Sequence, residues 1–185
     1  LAGPFLGLVG TALLFHTQPL LTSLGIEDAK AITPRVQAPW AIALAITPLL
    51  AGYLADTFHP RWLLPVGLGL GAASCGCVAI AGRGLFGLPP VIWVGASMAV
   101  FGIAGGVVMS VVGPTIARYF GRTHHGSIRG VTITVSVAAT AAGPYLLSRG
   151  AEVAGGRFDA VFGVFALAAL PLALAALTLQ KPERV

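Results

Sequence analysis

The sequence predicts an all-α membrane protein with six transmembrane helices that form two groups of three. Of the 185 residues, 56% are hydrophobic and only 9% are charged, whereas a soluble domain has about 25% charged residues. Short polar segments divide the chain into apolar runs of about 20 residues or more, the length that a helix needs to cross a bilayer. Lipid can solvate such an apolar surface and water cannot.

Six runs are long enough to span a membrane. They are rich in Ala, Leu and Gly and do not alternate between polar and apolar residues as the strands of a membrane barrel do, so each run is predicted to be a helix. Charged residues, glycine or proline separate one run from the next. The predicted spans are residues 1–24, 31–55, 62–81, 90–117, 128–147 and 158–179, followed by a short tail at 180–185.

The charged residues lie mainly between these spans. The net charge of +5 therefore indicates Lys and Arg beside lipid headgroups, and no nucleic-acid partner is predicted. An even number of spans places both ends on one side of the membrane. The densest basic loop, from Arg118 to Arg129, predicts that this side is cytoplasmic and that the protein lies in the cell inner membrane. Cys75 and Cys77 point to opposite faces of one helix, so neither a disulfide nor a metal site is predicted.

Polar residues are unevenly distributed among the spans. Spans one, two and five hold most of them, span four holds a few, and spans three and six hold almost none. Polar side chains are costly when they face lipid. Spans three and six are therefore expected at the periphery, with the other four around a cavity. Two triplets that each end in a peripheral helix indicate an internal repeat.

A polar hinge joins spans two and three, with the sequence Gly52-Tyr-Leu-Ala-Asp56-Thr-Phe-His-Pro-Arg61. It resembles the signature loop of the major facilitator superfamily, G-x-L-a-D-r-x-G-r-r, which joins the second and third helices of each six-helix half. The residues that match this signature are Gly52, Leu54, Asp56 and Arg61. The positions that depart from the family pattern are Thr57, His59 and Pro60.

The loop between spans four and five reads Arg118-Tyr-Phe-Gly-Arg122-Thr-His-His-Gly126-Ser-Ile-Arg129-Gly-Val. It is similar to r-y-F-G-r-r-h-x-G-s-i-r-G-v in bacterial members that resemble monocarboxylate transporters and oxalate–formate antiporters, where it lies in the C-terminal half. The resemblance implies that this chain is the C-terminal half of a twelve-helix transporter. Its partner would be the N-terminal six-helix half of the same polypeptide.

By this resemblance, both loops would control conformational change. Asp56 ends a helix, where the helix dipole disfavours a negative charge, so Arg61 or a neighbouring helix N-terminus is expected to compensate it. One interpretation is a charge latch that forms in one conformation and breaks in the other. The other is a carboxylate solvated at the membrane edge. The residues assigned to conformational change are Gly52, Asp56, Arg61, Arg118, Gly121, Arg122 and Arg129.

His16 is an ionisable residue well inside a predicted span. Imidazole exchanges a proton near physiological pH, so His16 is a candidate proton carrier or partner of a solute carboxylate. Pro19 removes a backbone hydrogen bond and is expected to break the helix there, and transporters place binding sites at broken helices. The alternative is a neutral His hydrogen-bonded to another helix.

Further candidates for the solute pathway lie on spans one, two and five. Gln37, Trp40 and Thr47 share one helix face, although Trp40 is close enough to the start of its span to be an interfacial anchor. Relatives often carry an arginine where this chain has Thr47-Pro48, and arginine is well suited to bind a carboxylate through two parallel hydrogen bonds. The remaining candidates are Gln18, Ser136 and Thr140.

Thr132, Ser136 and Thr140 recur every four residues and form a polar stripe on span five. The stripe either faces a cavity or consists of hydroxyls bonded back to the carbonyl four residues earlier. Helix kinks are predicted where proline or glycine interrupts a span. The predicted kink positions are Pro19, Pro114, Gly143 and Pro144.

The resemblance implies a secondary active transporter that moves a small organic solute by alternating access. A monocarboxylate or another organic anion is the expected solute, and a proton is a candidate coupling ion. The sequence holds no G-x-x-x-x-G-K-[ST] phosphate loop and no clustered catalytic groups, so no cofactor and no enzymatic activity are predicted. The alternative is a membrane sensor or scaffold that keeps the fold without transporting.

Overall fold

A computed structural model describes residues 2–57, 60–84, 87–120 and 125–178, except for the side chains at positions 56–61 and 118–125. This part of the chain is all α-helical. Five helices are long and apolar enough to cross a membrane, and α1 with α2 makes a sixth span when this pair, bent by 60°, is counted as one. The predicted fold class is therefore confirmed. The helices are α1 (Ala2–Phe15), α2 (Thr17–Ser23), α3 (Ala29–Thr57), α4 (Pro60–Arg83), α5 (Pro90–Phe120), α6 (His125–Val153) and α7 (Phe158–Leu177).

The connections define two ends of the bundle. At the end that we call distal, α2 joins α3, α4 joins α5 and α6 joins α7, and at the proximal end α3 joins α4 and α5 joins α6. The first and last of these distal connections each begin with a glycine in the left-handed region. Gly25 (φ 80°) follows α2 and donates its N–H to the carbonyl of Thr22, while Ile26 donates to Leu21. Gly155 (φ 68°) ends α6 with the same hydrogen-bond pattern, which stops a helix and satisfies its last carbonyls.

Helix packing follows the predicted division into two triplets. The most extensive contacts pair α3 with α5, α4 with α5, α4 with α7 and α1 with α6. One triplet is α1–α2, α3 and α4, and the other is α5, α6 and α7. In a two-fold repeat, α1–α2 corresponds to α5, α3 to α6 and α4 to α7. This correspondence converts the α1–α6 pair into the α5–α3 pair and leaves the α4–α7 pair unchanged. The α4–α5 contact departs from this symmetry, since α7 touches α1 only slightly.

Glycines allow the closest of these helix contacts. A Cβ atom at Gly102 of α5 would fall on the carbonyl oxygen of Trp40 in α3, and one at Gly143 of α6 would fall on the carbonyl oxygen of Leu8 in α1. Small residues at such positions let two backbones approach and gain van der Waals contact, which drives helix association in lipid. The packing of α1 on α6 thus depends on a position that the sequence assigned to a kink.

The helices differ in how deeply they are buried. Within the most apolar stretch of α4 and of α5, 50% of residues are buried, but the corresponding share is 11% in both α3 and α6. The exposed residues of α3 and α6 include large apolar side chains such as Ile42, Leu49, Ile133 and Val137. Apolar side chains at membrane depth face lipid or another layer of protein. One side of the bundle, flanked by α3 and α6, is therefore open.

Candidate functional site

The first span is broken at His16. This residue separates α1 from α2, and the two helices meet at an angle of 60°. The sequence predicted that the helix would break at Pro19, and the structure places the break three residues earlier. Pro19 is in the first turn of α2, where an N–H has no partner within the helix and its loss costs little. The proline instead prevents a hydrogen bond to the carbonyl of Phe15, and α1 ends at that residue.

His16 connects the break to α6. Its Nδ1 lies 3.2 Å from the carbonyl oxygen of Ala12, and its Nε2 lies 2.8 Å from Oγ of Ser148. A carbonyl oxygen only accepts, so Nδ1 carries a hydrogen in this arrangement. Nε2 of the neutral ring then accepts from the Ser148 hydroxyl. The ring also packs against Phe158 at the start of α7, with 5.9 Å between ring centroids.

Gln37 and Thr17 satisfy the carbonyl groups that the break exposes. Gln37 of α3 donates from Nε2 to the carbonyl of Leu14 (2.9 Å) and to Oγ1 of Thr17 (3.0 Å). The buried Thr17 hydroxyl donates to the carbonyl of Leu13 at 2.8 Å. The last carbonyls of a helix have no partner within it, and an unsatisfied one is costly inside a membrane. Side chains from α2 and α3 therefore hold the break together.

A groove opens on the exposed side of the bundle, between α1, α3, α5 and α6. It consists of two adjoining cavities of about 240 and 300 Å³ that share Gly3, Val108 and Met109. Neither cavity is lined by a described residue of α4 or α7. The sequence placed span three at the periphery, but in the described bundle α4 is as buried as α5, because it packs against both α5 and α7. The residues that line only one of the two cavities are Leu6, Gly7, Trp40, Leu44, Phe101, Gly105, Val112, Gly113, Ile116, Arg129, Thr132, Ile133 and Ser136.

The cavity nearer the proximal end contains the polar residues of the groove. Arg129 is exposed, and its Nη1 lies 3.5 Å from the point where a side chain at Gly113 would begin. Thr132 and Ser136 line the same cavity, and each donates its hydroxyl hydrogen to the carbonyl four residues earlier, at 2.8 Å. Their oxygens can thus still accept a hydrogen bond, and the strong donor in this cavity is the guanidinium of Arg129.

The cavity nearer mid-membrane is apolar. Trp40 and Leu44, one turn apart on α3, face Phe101 of α5 across it. Thr47, the next candidate on this face of α3, does not line the groove. It is buried against Gly106, where the helices approach closely. The groove therefore combines an aromatic and aliphatic surface at one end with a cation at the other.

The other predicted site residues have different surroundings. Thr140 donates to the carbonyl of Ser136 at 2.7 Å and packs against Gly7 of α1. Gln18 is exposed, and α5 and α6 continue as helices through Pro114 and Pro144. Gly52 has open space beside it. The structure does not describe the side chains of the other residues predicted in the latch and the basic loop, or does not describe these residues at all. They are Asp56, Arg61, Arg118, Gly121 and Arg122.

Sequence reasoning missed three features. Ser148 lies 132 residues from His16, and Phe101 is one apolar residue among many in its helix, so nothing local marked either as a site residue. The third is an ion pair between Arg157 and the buried Asp159 at 2.8 Å, where the hydrogen bond that Arg157 donates to the Asp159 carboxylate raises the pKa of Arg157. An acidic residue in the first turn of a helix could have indicated this pair.

Metal-binding groups are not assembled in the described part of the chain, where no cluster of three or more His, Cys, Asp or Glu residues could hold an ion. Cys75 and Cys77 are both free. The candidate site therefore offers hydrogen bonds at the helix break, and a positive charge and apolar contacts in the groove.

The repeat-like helix packing, the broken span and the open groove suggest comparison with known families. The profile of the Major Facilitator Superfamily matches residues 2–185. The chain belongs to this superfamily. It is 32% identical over 130 residues to the uncharacterized MFS-type transporter Rv1250 of Mycobacterium tuberculosis (strain ATCC 25618 / H37Rv). That match covers 70% of this chain but only 21% of the relative's length. No solved structure matches the chain.

Membership of this superfamily, together with the apolar helices of the described part of the chain, supports a multi-pass membrane protein. The chain spans about a fifth of the length of the curated relative that it matches.

Proposed function

We propose that this chain is the C-terminal half of a secondary active transporter that moves a small organic solute by alternating access. The observation that carries the proposal is the groove, which lies on the open side of the bundle between the two least buried helices, α3 and α6. An N-terminal six-helix half placed on this side would cover the apolar faces of both helices and close the groove into a central cavity.

The proposed solute is an organic anion, with a monocarboxylate as the preferred class. The similarity of the Arg118–Arg129 loop to bacterial relatives of monocarboxylate transporters and oxalate–formate antiporters supports it, and so does a cation in the groove. The same loop is basic and lies at the proximal end. We therefore place that end, with both ends of this segment, on the cytoplasmic side of the inner membrane.

Proton coupling is proposed at the helix break. Nε2 of a neutral His16 accepts from Ser148, whereas a protonated ring would donate to the same oxygen at the same distance, since the hydroxyl hydrogen can rotate away. The break thus accommodates both protonation states without losing its link to α6. If His16 carries the coupled proton, His16→Gln abolishes the dependence of uptake on a pH gradient. Full pH-dependent uptake by this variant would contradict the role.

Conformational control is proposed at the proximal end. Asp56 and Arg61 would form a latch across the hinge, and Arg118, Gly121 and Arg122 would complete the cytoplasmic closure in one state. The family resemblance of the two loops supports these roles. Bends at Pro114 and Pro144 would let α5 and α6 move with them.

The test is uptake by the full-length protein, purified and reconstituted in lipid vesicles, with radiolabelled carboxylates supplied outside and an imposed pH gradient. We expect uptake above that of empty vesicles, and exchange of internal for external solute. The rival is a sensor or scaffold, which would bind the solutes without moving them. Binding without flux, in vesicles whose protein is shown to be folded and inserted, would favour that rival.

A further inference from the structure

We propose that α1 and α6 form a two-helix arm whose proximal end swings against a body made of α3, α4, α5 and α7. The distal end of the arm stays in place, at the helix break. The inference deepens the proposed function and rests on it, because it places part of the conformational change of a transporter inside this six-helix half. The half would then not move as a single rigid unit.

The two helices of the arm are locked together. A Cβ atom at Gly7 of α1 would fall on the hydroxyl of Thr140 in α6, and one at Gly143 of α6 would fall on the carbonyl oxygen of Leu8 in α1. Thr11 of α1 also donates to the carbonyl of Thr140 at 2.7 Å. Small residues that bring two backbones together, with a hydrogen bond between the helices, stabilise one arrangement of the pair in lipid. We therefore expect α1 and α6 to move together.

The arm has less contact with the body than its two helices have with each other. In the described part of the chain, α6 packs extensively on α1 alone and meets α5 and α7 only slightly, whereas extensive contacts join α3 to α5, α5 to α4 and α4 to α7. α1 meets the body through side chains, with Leu6 packed on Gly71 of α4 and Phe101 of α5 packed on Gly10. Helices that meet through side chains can shift past one another by small repacking steps.

Cavities follow the boundary between arm and body. The two cavities of the groove lie on it, and so does a cavity of about 510 Å³ between α6 and α7. A further cavity of about 300 Å³, which we call the rear cavity, separates the start of α1 from α4, α5 and α7. Atoms that line a cavity make fewer dispersion contacts than atoms in a packed core. The boundary is therefore where this bundle can rearrange at the lowest cost.

The arm is held more firmly at its distal end than at its proximal end. Toward the distal end of α1, Val9 and Leu13 are fully buried in the core, and Gln37 of α3 donates to the carbonyl of Leu14. At the proximal end, Gly3 is only partly buried and lines the rear cavity together with both cavities of the groove. The proximal end of the arm is therefore the end that can move.

The helix break supplies the pivot. α1 ends at Phe15 and α2 begins at Thr17 at an angle of 60°, and Gln37 bonds to Thr17 and so holds α2 on α3. A change of dihedral angles at His16 would let α1 tilt while α2 stays on the body, as hinge residues at helix ends do. Movement of the proximal end of the arm toward the body would close the rear cavity and the proximal cavity of the groove.

The experiment measures distances between pairs of spin labels by pulsed electron paramagnetic resonance, on the full-length protein in lipid nanodiscs and in a cysteine-free background. Each label replaces an exposed residue. The pair Val131 and Leu174 spans the boundary at the proximal end, Val153 and Ile92 span it at the distal end, and Phe15 and Val131 lie within the arm. We expect two distances for the proximal pair, separated by about 2–5 Å as in known helix shifts, and one distance for each of the other pairs.

Thr115→Leu tests the rear cavity. Thr115 lines this cavity, and its hydroxyl bonds to the carbonyl of Val111 in its own helix, so leucine adds volume there and should leave only the longer proximal distance. The matched control is Thr134→Leu, which removes the same kind of bond, to the carbonyl of Gly130, at an exposed position of α6 and should keep both distances. A single proximal distance in the wild type that Thr115→Leu leaves unchanged would overturn the proposal, as would two distances within the arm. If Thr115→Leu does not fold, the three wild-type pairs still decide.

Uptake of radiolabelled carboxylates by the same variants in vesicles separates this inference from the proposed function. Thr115→Leu should lower the uptake rate about 10-fold or more, in proportion to the lost population of the closed state, and Thr134→Leu should not change it. Two proximal distances without any uptake by the wild type would support the arm and contradict transport. Uptake by the wild type with one proximal distance, the same in Thr115→Leu, would support transport and overturn the arm.

Discussion

The helix break and the groove use polar residues in opposite ways. At the break, His16, Thr17 and Gln37 bond to one another, to exposed carbonyls of α1 and to Ser148 of α6. In the groove, the Arg129 guanidinium has no described anionic partner, and the Thr132 oxygen can still accept a bond. Polar groups at the break therefore stabilise the fold, whereas those of the groove remain available to a ligand.

The two regions are also mechanically connected, because α1 and α6 contribute to both. Gly143 of α6 lies where α1 and α6 approach each other closely, in the part of α6 between the groove and the break. A change that separates α1 from α6 should therefore disrupt break and groove together. A change at the break alone should reduce stability, and a change in the groove alone should reduce binding.

The largest effect is expected from Gly143→Val. The new side chain would overlap the carbonyl of Leu8 and the hydroxyl of Thr11, and relief requires α1 to move away from α6. Overpacking against backbone should lower the free energy of unfolding by about 3 kcal/mol or more. Thermal unfolding of the full-length protein in detergent would measure it.

Gly130→Ala is the control on the same helix. Its new Cβ would meet open space, and replacing glycine within a helix should stabilise by about 0.5–1 kcal/mol. Equal stability of Gly143→Val and Gly130→Ala would show that the contact between α1 and α6 does not limit stability.

A smaller effect, confined to the break, is expected from Gln37→Leu. The substitution keeps the size of the side chain but removes the donor to the carbonyl of Leu14 and to Thr17. An acceptor left unsatisfied should cost about 1–3 kcal/mol. Gln18→Leu is the matched control, because Gln18 is exposed and no hydrogen bond of its side chain is described. A change within about 0.5 kcal/mol is expected there, and equal losses in the two variants would contradict the role given to Gln37.

The sequence predicted the helices better than it predicted their meeting points. Length and composition were enough for the membrane spans, because the physical requirement is local: an apolar run between polar loops. Pro19 indicated that the first span would break, but the break lies at His16. That position depends on Gln37 and Ser148, which reach it from α3 and α6.

The groove was harder to predict for the same reason. Helix periodicity identified Trp40 and Ser136 as candidates for the groove, but it left a second interpretation open for each of them. Periodicity shows which residues share a helix face and does not show what that face contacts. Phe101 carried no signal within an apolar helix. Arg129 was assigned through the loop motif, and its place in the cavity follows only from the packing of α5 beside α6.

The smallest effect is expected for the single hydrogen bond between His16 and Ser148, measured by a double-mutant cycle with His16→Phe and Ser148→Ala. Phenylalanine keeps a ring against Phe158 but cannot bond to the serine, so the coupling isolates the 2.8 Å contact. We expect a coupling of about 0.5–1.5 kcal/mol in the free energy of unfolding, the net contribution of one hydrogen bond. The Arg129→Gln and Ser148→Ala pair is the control, and it should be additive because its members lie at opposite ends of α6. Additivity of the His16 and Ser148 variants as well would mean that this bond does not hold the break to α6, and the stability of the break would then rest on Gln37 and Thr17.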